Sequence, residues 1–346
     1  MKKSTKIIML VVILFLAGFY IYRSNSDYLK FRLTPYELSK EEAIAAINEM
    51  DKEGLYRDSQ EWKDNKDDIV NKIDNSKHAG ERVKILNEAL NIIGGKNAAI
   101  FPIYHRNYEK YQKEEKPIPT SEVIDNVLFL KLPSICFDSK AVTENGIDYN
   151  KSILEYDKFI EEGLKAIRDN KDVLGYVIDL TDNGSTETRM TLLLSVSSLL
   201  NDGDLMKFLD KDDNIVGKDF LDKGVLCAEK DGKIQKIDKY KNETKVKKPI
   251  CVIVNEKTLA SAEYLTLALK DNANAKIIGT ETMGLISSDK LVRINDGLIM
   301  ILTDSKMLTP NGEEKVDYKK ITPDIVCDEK EAKDKALEYI LQEVKN

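Results

Sequence analysis

The chain has 346 residues, of which 42% are hydrophobic and 33% are charged, and its formal net charge is −7. This composition is typical of a globular protein with a substantial core, and the length allows one large domain or two of modest size. The 53 basic and 60 acidic residues are interspersed. No basic surface that could follow a nucleic-acid backbone is therefore predicted.

The amino terminus predicts a membrane segment. Lys2, Lys3 and Lys6 precede an unbroken apolar run of sixteen residues, Ile7–Tyr22. A helix of that length covers about 24 Å, slightly less than the ~30 Å hydrocarbon core, and lysine stems and interfacial tyrosines can cover the difference. We expect a signal-anchor over residues 1–29, a single-pass location in the cell membrane and an extracytoplasmic main domain. A cleaved signal peptide is the alternative.

Residues 36–115 predict a helical unit followed by a linker. Ser39 and Glu42 have the spacing of a capping box at the start of a first helix. The segments "SQEWKDNKDDIVNKI" and "AGERVKILNEALNII" continue the helical pattern, which ends at Gly94 and Gly95. The polar stretch "RNYEKYQKEEKPIPT" then predicts the linker.

Residues 118–328 predict an α/β domain, because apolar runs alternate with helical segments. The runs "NVLFLKLPSI", "VLGYVIDL", "KPICVIVN" and "AKIIGT" predict strands, and "SILEYDKFIEEGLKAIRD", "TRMTLLLSVSSLL" and "ASAEYLTLALKDN" predict helices. This order is typical of a mainly parallel sheet with crossover helices. A hairpin is predicted around Asn295–Gly297, and residues 329–346 predict a charged C-terminal helix.

The cysteines and histidines predict no metal site. The four cysteines and two histidines show no metal-ligand spacing. Cys136 and Cys251 fall in strand-like runs, so we expect buried thiols there. Neither a metal nor another cofactor is predicted.

Four segments, in order along the chain, resemble the tail-specific (C-terminal processing) serine peptidase family. They are "GYVIDLTDNGS", "VNEKTLASAE", "AKIIGTETMG" and the pair "DGLIMILT" and "ITPDI". The first is similar to the family's Asp-Leu-Arg-x-Asn-x-Gly-Gly turn and the second to its nucleophile turn. The resemblance implies a fold of the crotonase/Clp-protease type, with a small helical unit before it, and an acyl-transfer site. No segment between residues 95 and 125 resembles the PDZ module that many relatives carry.

The resemblance places the nucleophile three residues before the family's glutamate, which matches Glu263. That position is Ala260, which has no hydroxyl. Ser261 is the neighbouring serine, but one residue along a helix rotates a side chain by roughly 100°. Two interpretations therefore stay open. Ser261 acts as the nucleophile in a turn of shifted register, or it caps or lines the start of the helix.

The base positions implied by the resemblance hold neutral side chains. In the branch with a catalytic lysine the position is Leu285, and in the branch with a histidine it is Asn97. Neither side chain can take up a proton near pH 7. Lys290 is the nearest downstream lysine and is expected to be solvated, and His105 would have to fold back to serve.

The resemblance also implies a substrate and oxyanion region. Its residues are Asn183, Gly184, Ser185, Thr282 and Gly284. The two consecutive glycines of the family correspond to Ser185 and Thr186, and a β-branched Thr186 makes close backbone approach to a substrate harder.

Together, the predicted anchor and these substitutions indicate a membrane-anchored protein that engages peptide or protein C-termini. Its proteolytic activity is expected to be weak or lost. One alternative is an active serine peptidase that uses Ser261, and another is a non-catalytic interaction partner of a membrane protein. The expected partners are a peptide or unfolded protein segment and, through the N-terminal helix, the membrane. Nucleic acid and metal are not expected.

Overall fold

The computed structural model describes residues 37–102, 116–137, 141–143, 146–241, 245–312 and 314–345. The predicted membrane segment, Ile7–Tyr22, and His105 in the predicted linker lie outside these ranges. Within them, no helix combines the length and the apolar character needed to cross a membrane.

The described helices are named here in chain order. They are α1 Lys40–Glu53, α2 Gln60–Asn75, α3 Ala79–Ile93, α4 Tyr149–Leu154, α5 Asp157–Asp169, α6 Arg189–Ser195, α7 Ser261–Ala273 and α8 Glu329–Glu343.

The described strands follow the same convention. They are β1 Ala99–Pro102, β2 Thr120–Ile124, β3 Val127–Lys131, β4 Val142–Thr143, β5 Gly146–Ile147, β6 Gly175–Asp179, β7 Gly203–Leu209, β8 Ile215–Asp222, β9 Val225–Lys230, β10 Lys233–Ile237, β11 Ile250–Val254, β12 Lys276–Gly279, β13 Ser288–Asn295, β14 Leu298–Leu308 and β15 Ile325–Val326.

Helices α1 to α3 correspond to the three predicted N-terminal helices. The predicted capping box is present at α1, where Ser39 Oγ accepts the Glu42 N–H at 3.0 Å and the Glu42 carboxylate accepts the Ser39 N–H at 2.7 Å. Gly94 follows α3 as its cap. The three helices share one hydrophobic core with the strands behind them, in which Trp62 and Leu90 belong to the same cluster as Met300 and Leu302.

The first sheet is mainly parallel, in the order β15-β12-β11-β6-β3-β2, and only β2 runs antiparallel to its neighbour. Strands β6 and β11 are buried along their whole length, as expected of strands covered on both faces. Helices α5, α6 and α7 pack on one face in a cluster that includes Phe159 and Leu265. On the other face, α8 packs through Ala336 and Ile340.

The second sheet is antiparallel, in the order β1-β14-β7-β8-β9-β10, and β13 also pairs with β14. The β13–β14 pair is the predicted hairpin around Asn295–Gly297. Strands β7 to β10 were not predicted. Buried and partly exposed residues alternate along β8, and in β7 the partly exposed Lys207 separates two buried pairs, so these strands lack the continuous apolar runs that marked the parallel sheet.

Two details of the sequence prediction were wrong. The segment predicted as one long helix is divided into α4 and α5 at Tyr156, whose hydroxyl donates to the Cys136 carbonyl at 2.5 Å. Cys251 is buried as expected, but Cys136 is exposed, because it lies in an isolated bridge to Thr186 and not in a sheet. None of the four cysteines forms a disulfide.

Candidate active-site cleft

The turn between β11 and α7 places the residues of the predicted nucleophile motif. The Thr258 hydroxyl donates to the Leu180 carbonyl at 2.8 Å, and the Leu259 N–H donates to the Asn183 carbonyl at 3.1 Å. These bonds tie the turn to the loop that follows β6. At the end of the turn, Ala260 has φ 47° and ψ −109°. This conformation is rare for a residue other than glycine and indicates local backbone strain.

Glu263 holds this turn against the loop that follows β12. Its buried carboxylate accepts the Ala260 N–H at 2.9 Å. It also accepts the N–H groups of Gly284 and Leu285 at 2.7 and 2.9 Å and the hydroxyl of Thr282 at 2.5 Å. Thr282 and Gly284, which the resemblance assigned to the substrate region, therefore serve to position Glu263, and neither lines the cleft described next.

A cleft of about 500 Å³ opens beside the turn. Its described lining comprises Asn97, Phe101, Pro102, Phe137, Thr186, Glu187, Arg189, Leu259, Ala260, Ser261, Tyr264, Leu285, Ile286, Ser287, Asp289 and Ile301. The nucleophile position Ala260 and both base positions, Asn97 and Leu285, are among them. Three positions assigned separately by resemblance, from distant parts of the sequence, therefore meet in one cleft.

Ser261 also lines this cleft, and its Oγ and backbone N–H each take part in a hydrogen bond within the protein. Its Oγ accepts the Thr188 N–H at 3.1 Å, its own N–H donates to the Ser185 carbonyl at 3.0 Å, and the residue is 6% exposed. It is the first residue of α7, and Ala260 precedes it as the cap residue. The structure gives Ser261 a hydrogen-bonded place at the helix start.

Asn97 occupies the histidine position, and its amide nitrogen donates two hydrogen bonds within the protein. Its Nδ2 donates to the Leu285 carbonyl at 3.0 Å and to Ser287 Oγ at 2.7 Å. The Ser287 hydroxyl in turn donates to Asp289 at 2.5 Å. The arrangement is a chain of hydrogen bonds that ends on a carboxylate, but its first member, a neutral amide, cannot act as a general base.

The amides of the predicted oxyanion region are bound by the protein itself. The Gly184 N–H donates to Ser134 Oγ at 2.7 Å, and the Ser185 N–H donates to Asn183 Oδ1 at 3.0 Å. The Asn183 Nδ2 donates to the Leu132 carbonyl at 2.8 Å. An oxyanion hole requires donors aimed at the reacting oxygen, and these donors point into the protein's own loops.

Lys290 is not solvated, contrary to expectation. Its Nζ lies 2.6 Å from Glu49 Oε1 and 3.7 Å from Glu53 Oε1, and its side chain is only 14% exposed. Because α1 packs against β13, carboxylates of the helix meet the lysine there. Lys290 is a contact between the helical unit and the sheet, and it does not line the cleft.

Two carboxyl groups in the cleft were missed by sequence reasoning. Glu187 has no hydrogen bond or ion pair with the described residues, and Asp289 accepts hydrogen bonds from Ser287 and Thr303. Burial raises the pKa of Glu187 to about 8, with a further contribution from the charge of Asp289, and burial likewise raises the pKa of Asp289. No sequence motif marks either residue, since only the fold brings the 183–188 loop and β13 together.

The cationic side chain in the cleft lining, Arg189, is already compensated. Its Nε lies 2.7 Å from Asp219 Oδ2, and the Asp219 side chain is 1% exposed. The guanidinium lies 4.9 Å from the ring centroid of Tyr149 and 5.9 Å from that of Tyr264. Within the described ranges, no group of three or more histidine, cysteine, aspartate and glutamate side chains is placed to hold a metal ion.

Residues 147–327, more than half of the chain, match the model of peptidase family S41. The chain belongs to peptidase family S41. This confirms the tail-specific serine peptidase family predicted from the four sequence segments.

Two curated relatives illustrate the range of the similarity. The nisin-resistance protein of Lactococcus lactis subsp. lactis is 27% identical over 303 residues, which cover 87% of this chain and 86% of that protein. The carboxy-terminal processing protease CtpA of Bacillus subtilis is 30% identical over 174 residues, which cover 48% of this chain. The aligned part is only 33% of CtpA.

Solved structures show the same fold. A lipoprotein from Streptococcus agalactiae has a TM-score of 0.67 at 21% identity and covers 90% of this chain and all of its own. The photosystem II D1 C-terminal processing protease has a TM-score of 0.51 at 16% identity, with coverage of 85% and 94%. The mixed α/β architecture is therefore that of S41 peptidases.

The strain at Ala260 predicts opposite effects of two neighbouring glycine substitutions. Ala260→Gly should raise the free energy of unfolding by about 1 kcal/mol, because glycine adopts positive φ without steric cost. Ala262→Gly, two residues further into α7, should lower it by about 1 kcal/mol or more, because helical backbone loses stability at glycine. Urea unfolding of the two variants measures both effects, and a destabilised Ala260→Gly would contradict strain at this turn.

The carboxyl of Glu187 predicts a pH dependence of stability. With a pKa near 8 in the folded state and an ordinary value of 4.5, the folded protein retains a proton that the unfolded chain releases. Stability from this group is present below about pH 4.5 and is lost as pH rises through 8. The free energy of unfolding of wild type should therefore fall between about pH 6.5 and 9, and Glu187→Gln should reduce that fall by on the order of 1 kcal/mol.

Thermal unfolding at both pH values measures this effect. Glu161→Gln, at an exposed position on α5, is the matched control and should leave the wild-type pH dependence unchanged. Equal pH dependence of Glu187→Gln and wild type would show that Glu187 titrates as an ordinary carboxyl.

Proposed function

We propose that this chain is an S41 family member that binds an extended peptide or unfolded protein segment in its cleft without cleaving it. The observation that carries the proposal is Ala260, a methyl group at the strained turn that lines the cleft. A methyl group cannot attack a peptide carbonyl, and the surrounding fold has kept the turn in which a nucleophile would stand. The crotonase/Clp-protease type of fold is part of the proposal and is supported by the parallel strand order.

The residues at the base and oxyanion positions also support weak or absent proteolysis. Asn97 and Leu285 offer no proton acceptor of suitable pKa, and the amides of Gly184 and Ser185 are already bound. Removal of one member of a catalytic triad alone leaves only a small residual activity. Here the nucleophile, the base and the oxyanion donors are all affected, so weak or absent proteolysis is expected.

The edge of the antiparallel sheet supports binding of an extended chain. Strand β1 stands at the end of its sheet, so one of its sides has no strand partner among the described residues. Phe101 and Pro102 of β1 line the cleft, and Phe101 is 46% exposed. An extended segment could add to such an edge by main-chain hydrogen bonds while its side chains enter the cleft.

Chemical labelling tests the proposal directly. Full-length protein should show no serine-dependent labelling by a fluorophosphonate probe and no cleavage of unstructured peptides, and Ser261→Ala should behave like wild type. Peptide binding should be stoichiometric, without turnover. Labelling or cleavage that disappears in Ser261→Ala would instead establish an active peptidase that uses Ser261.

We also propose that the chain is anchored in the cell membrane by residues 1–29, with its main domain outside the cytoplasm. The apolar run Ile7–Tyr22 behind three lysines supports this location. As a second candidate role, we propose that the chain contributes to nisin resistance. The similarity to the nisin-resistance protein over 87% of this chain supports that role, which on the chemistry above would rest on binding and not on cleavage.

One experiment on cells addresses both proposals. External protease on intact cells that carry the full chain should digest the main domain, and a chain that lacks residues 1–29 should be protected inside the cell. Nisin tolerance should rise with the full chain and stay at the vector level with the truncated one. A protected full chain would contradict the proposed location, and unchanged tolerance would remove the second role.

A further inference from the structure

We infer that the cleft selects a basic side chain, the ammonium of lysine or the guanidinium of arginine, and holds it between Glu187 and Asp289. This inference rests on the proposed function and names the chemistry of the segment that is bound. It assigns the two carboxyl groups as the residues that determine specificity.

Glu187 is the group that contacts the basic side chain most directly. It lines the cleft, and it makes no hydrogen bond or ion pair with the described residues. Its backbone has φ 56°, in the left-handed region that non-glycine residues seldom adopt. A strained backbone that carries an unpaired carboxyl into an apolar cleft indicates a functional constraint.

Asp289, on strand β13, supplies a second carboxylate to the cleft. Its oxygens accept hydrogen bonds from the hydroxyls of Ser287 and Thr303 at 2.5 and 2.6 Å. These partners are neutral, so they orient the carboxylate without compensating its charge. Glu187 and Asp289 are close enough for the charge of one to shift the titration of the other.

The cations nearby do not compensate the two carboxyl groups. Arg189 is paired with the buried Asp219, and Lys290 is paired with Glu49 on α1. The described lining of the cleft contains no other cation. Once Glu187 is ionised, the uncompensated charge of the lining is negative, which favours a cationic group and repels a C-terminal carboxylate.

The walls of the cleft suit the stem of a long basic side chain. Leu259, Leu285, Ile286 and Ile301 line it together with aromatic residues such as Phe137. Lysine and arginine bury their methylene stems against apolar surface while their charged ends reach polar partners. A short acidic or polar side chain could not use both features.

Binding of a cation should be coupled to release of a proton. In the unliganded cleft Glu187, with a pKa near 8, is mostly protonated at neutral pH. The charged groups that influence it are Asp289 and Asp304, which favour the proton, and Arg189, which opposes it. Tyr264 is the remaining titratable group in the described lining. A bound ammonium favours the ionised carboxylate, so affinity should increase from about pH 6.5 to about pH 9.

Calorimetric titration of full-length protein tests the inference on wild type alone. The probe is a short extended peptide of leucine and alanine, blocked at both ends, with one central lysine. The comparison peptides carry norleucine in place of the lysine, or a free C-terminal carboxylate without lysine. The lysine peptide should bind about 10-fold more tightly than either.

Variants locate the effect within the cleft. Glu187→Gln and Asp289→Asn should each reduce the preference for lysine over norleucine, and Glu187→Gln should also abolish the rise of affinity with pH. Glu281→Gln removes an exposed carboxyl outside the cleft and should change neither. Circular dichroism establishes that each variant is folded, and the peptide comparison on wild type does not depend on any variant.

The outcomes separate this inference from the proposed function. Equal binding of the lysine and norleucine peptides, or preference for the free carboxylate, would overturn the inference while leaving peptide binding in place. If no peptide bound, the proposed function would fail and the inference with it. Tight, lysine-dependent binding that persists unchanged in both cleft variants would place the basic side chain elsewhere on the protein.

Discussion

The site depends on one buried carboxylate, that of Glu263. Removing a charged group from water is costly unless it is fully hydrogen-bonded, and this one accepts bonds from Ala260, Thr282, Gly284 and Leu285. Those donors come from two segments, the turn before α7 and the loop after β12. By satisfying a single carboxylate, the chain fixes the nucleophile position and one base position relative to each other. The cleft therefore keeps its shape whether or not a nucleophile is present.

The same bonds explain how Ala260 remains in an unfavourable conformation. A left-handed or similarly rare backbone costs of order 1–3 kcal/mol and persists only where neighbouring contacts over-determine it. Here the Glu263 carboxylate holds the Ala260 N–H, and the preceding and following residues donate to the Asn183 and Ser185 carbonyls. The strain belongs to the scaffold and not to a reacting group. Ala260 has no hydroxyl, and the hydrogen bonds that hold the turn do not depend on one.

Much of this fold could be predicted from the sequence because its strongest patterns are local. The capping box at Ser39, the continuous apolar strands and the hairpin near Gly297 each depend on neighbouring residues. Strands β7 to β10 were not predicted because charged residues such as Lys207, Lys218 and Lys236 interrupt their apolar runs. The assigned positions Ala260, Asn97 and Leu285 followed from family resemblance. Glu187 could not be found in this way, because its importance arises only where the fold brings distant segments together.

The side chains at the two base positions also set the charge of the cleft. A histidine at position 97 would stand next to Ser287, one hydrogen bond from Asp289, and a lysine at position 285 would place an ammonium in the same lining. In its protonated form, either side chain would compensate the charge of Glu187 and Asp289, which no unpaired cation of the described lining compensates. Asn97 and Leu285 are neutral, whereas Glu187 and Asp289 are carboxyl groups in the same lining. On the proposed selectivity, the positive charge comes from the ligand, so the neutral side chains at both base positions and the preference for a basic side chain have one physical origin.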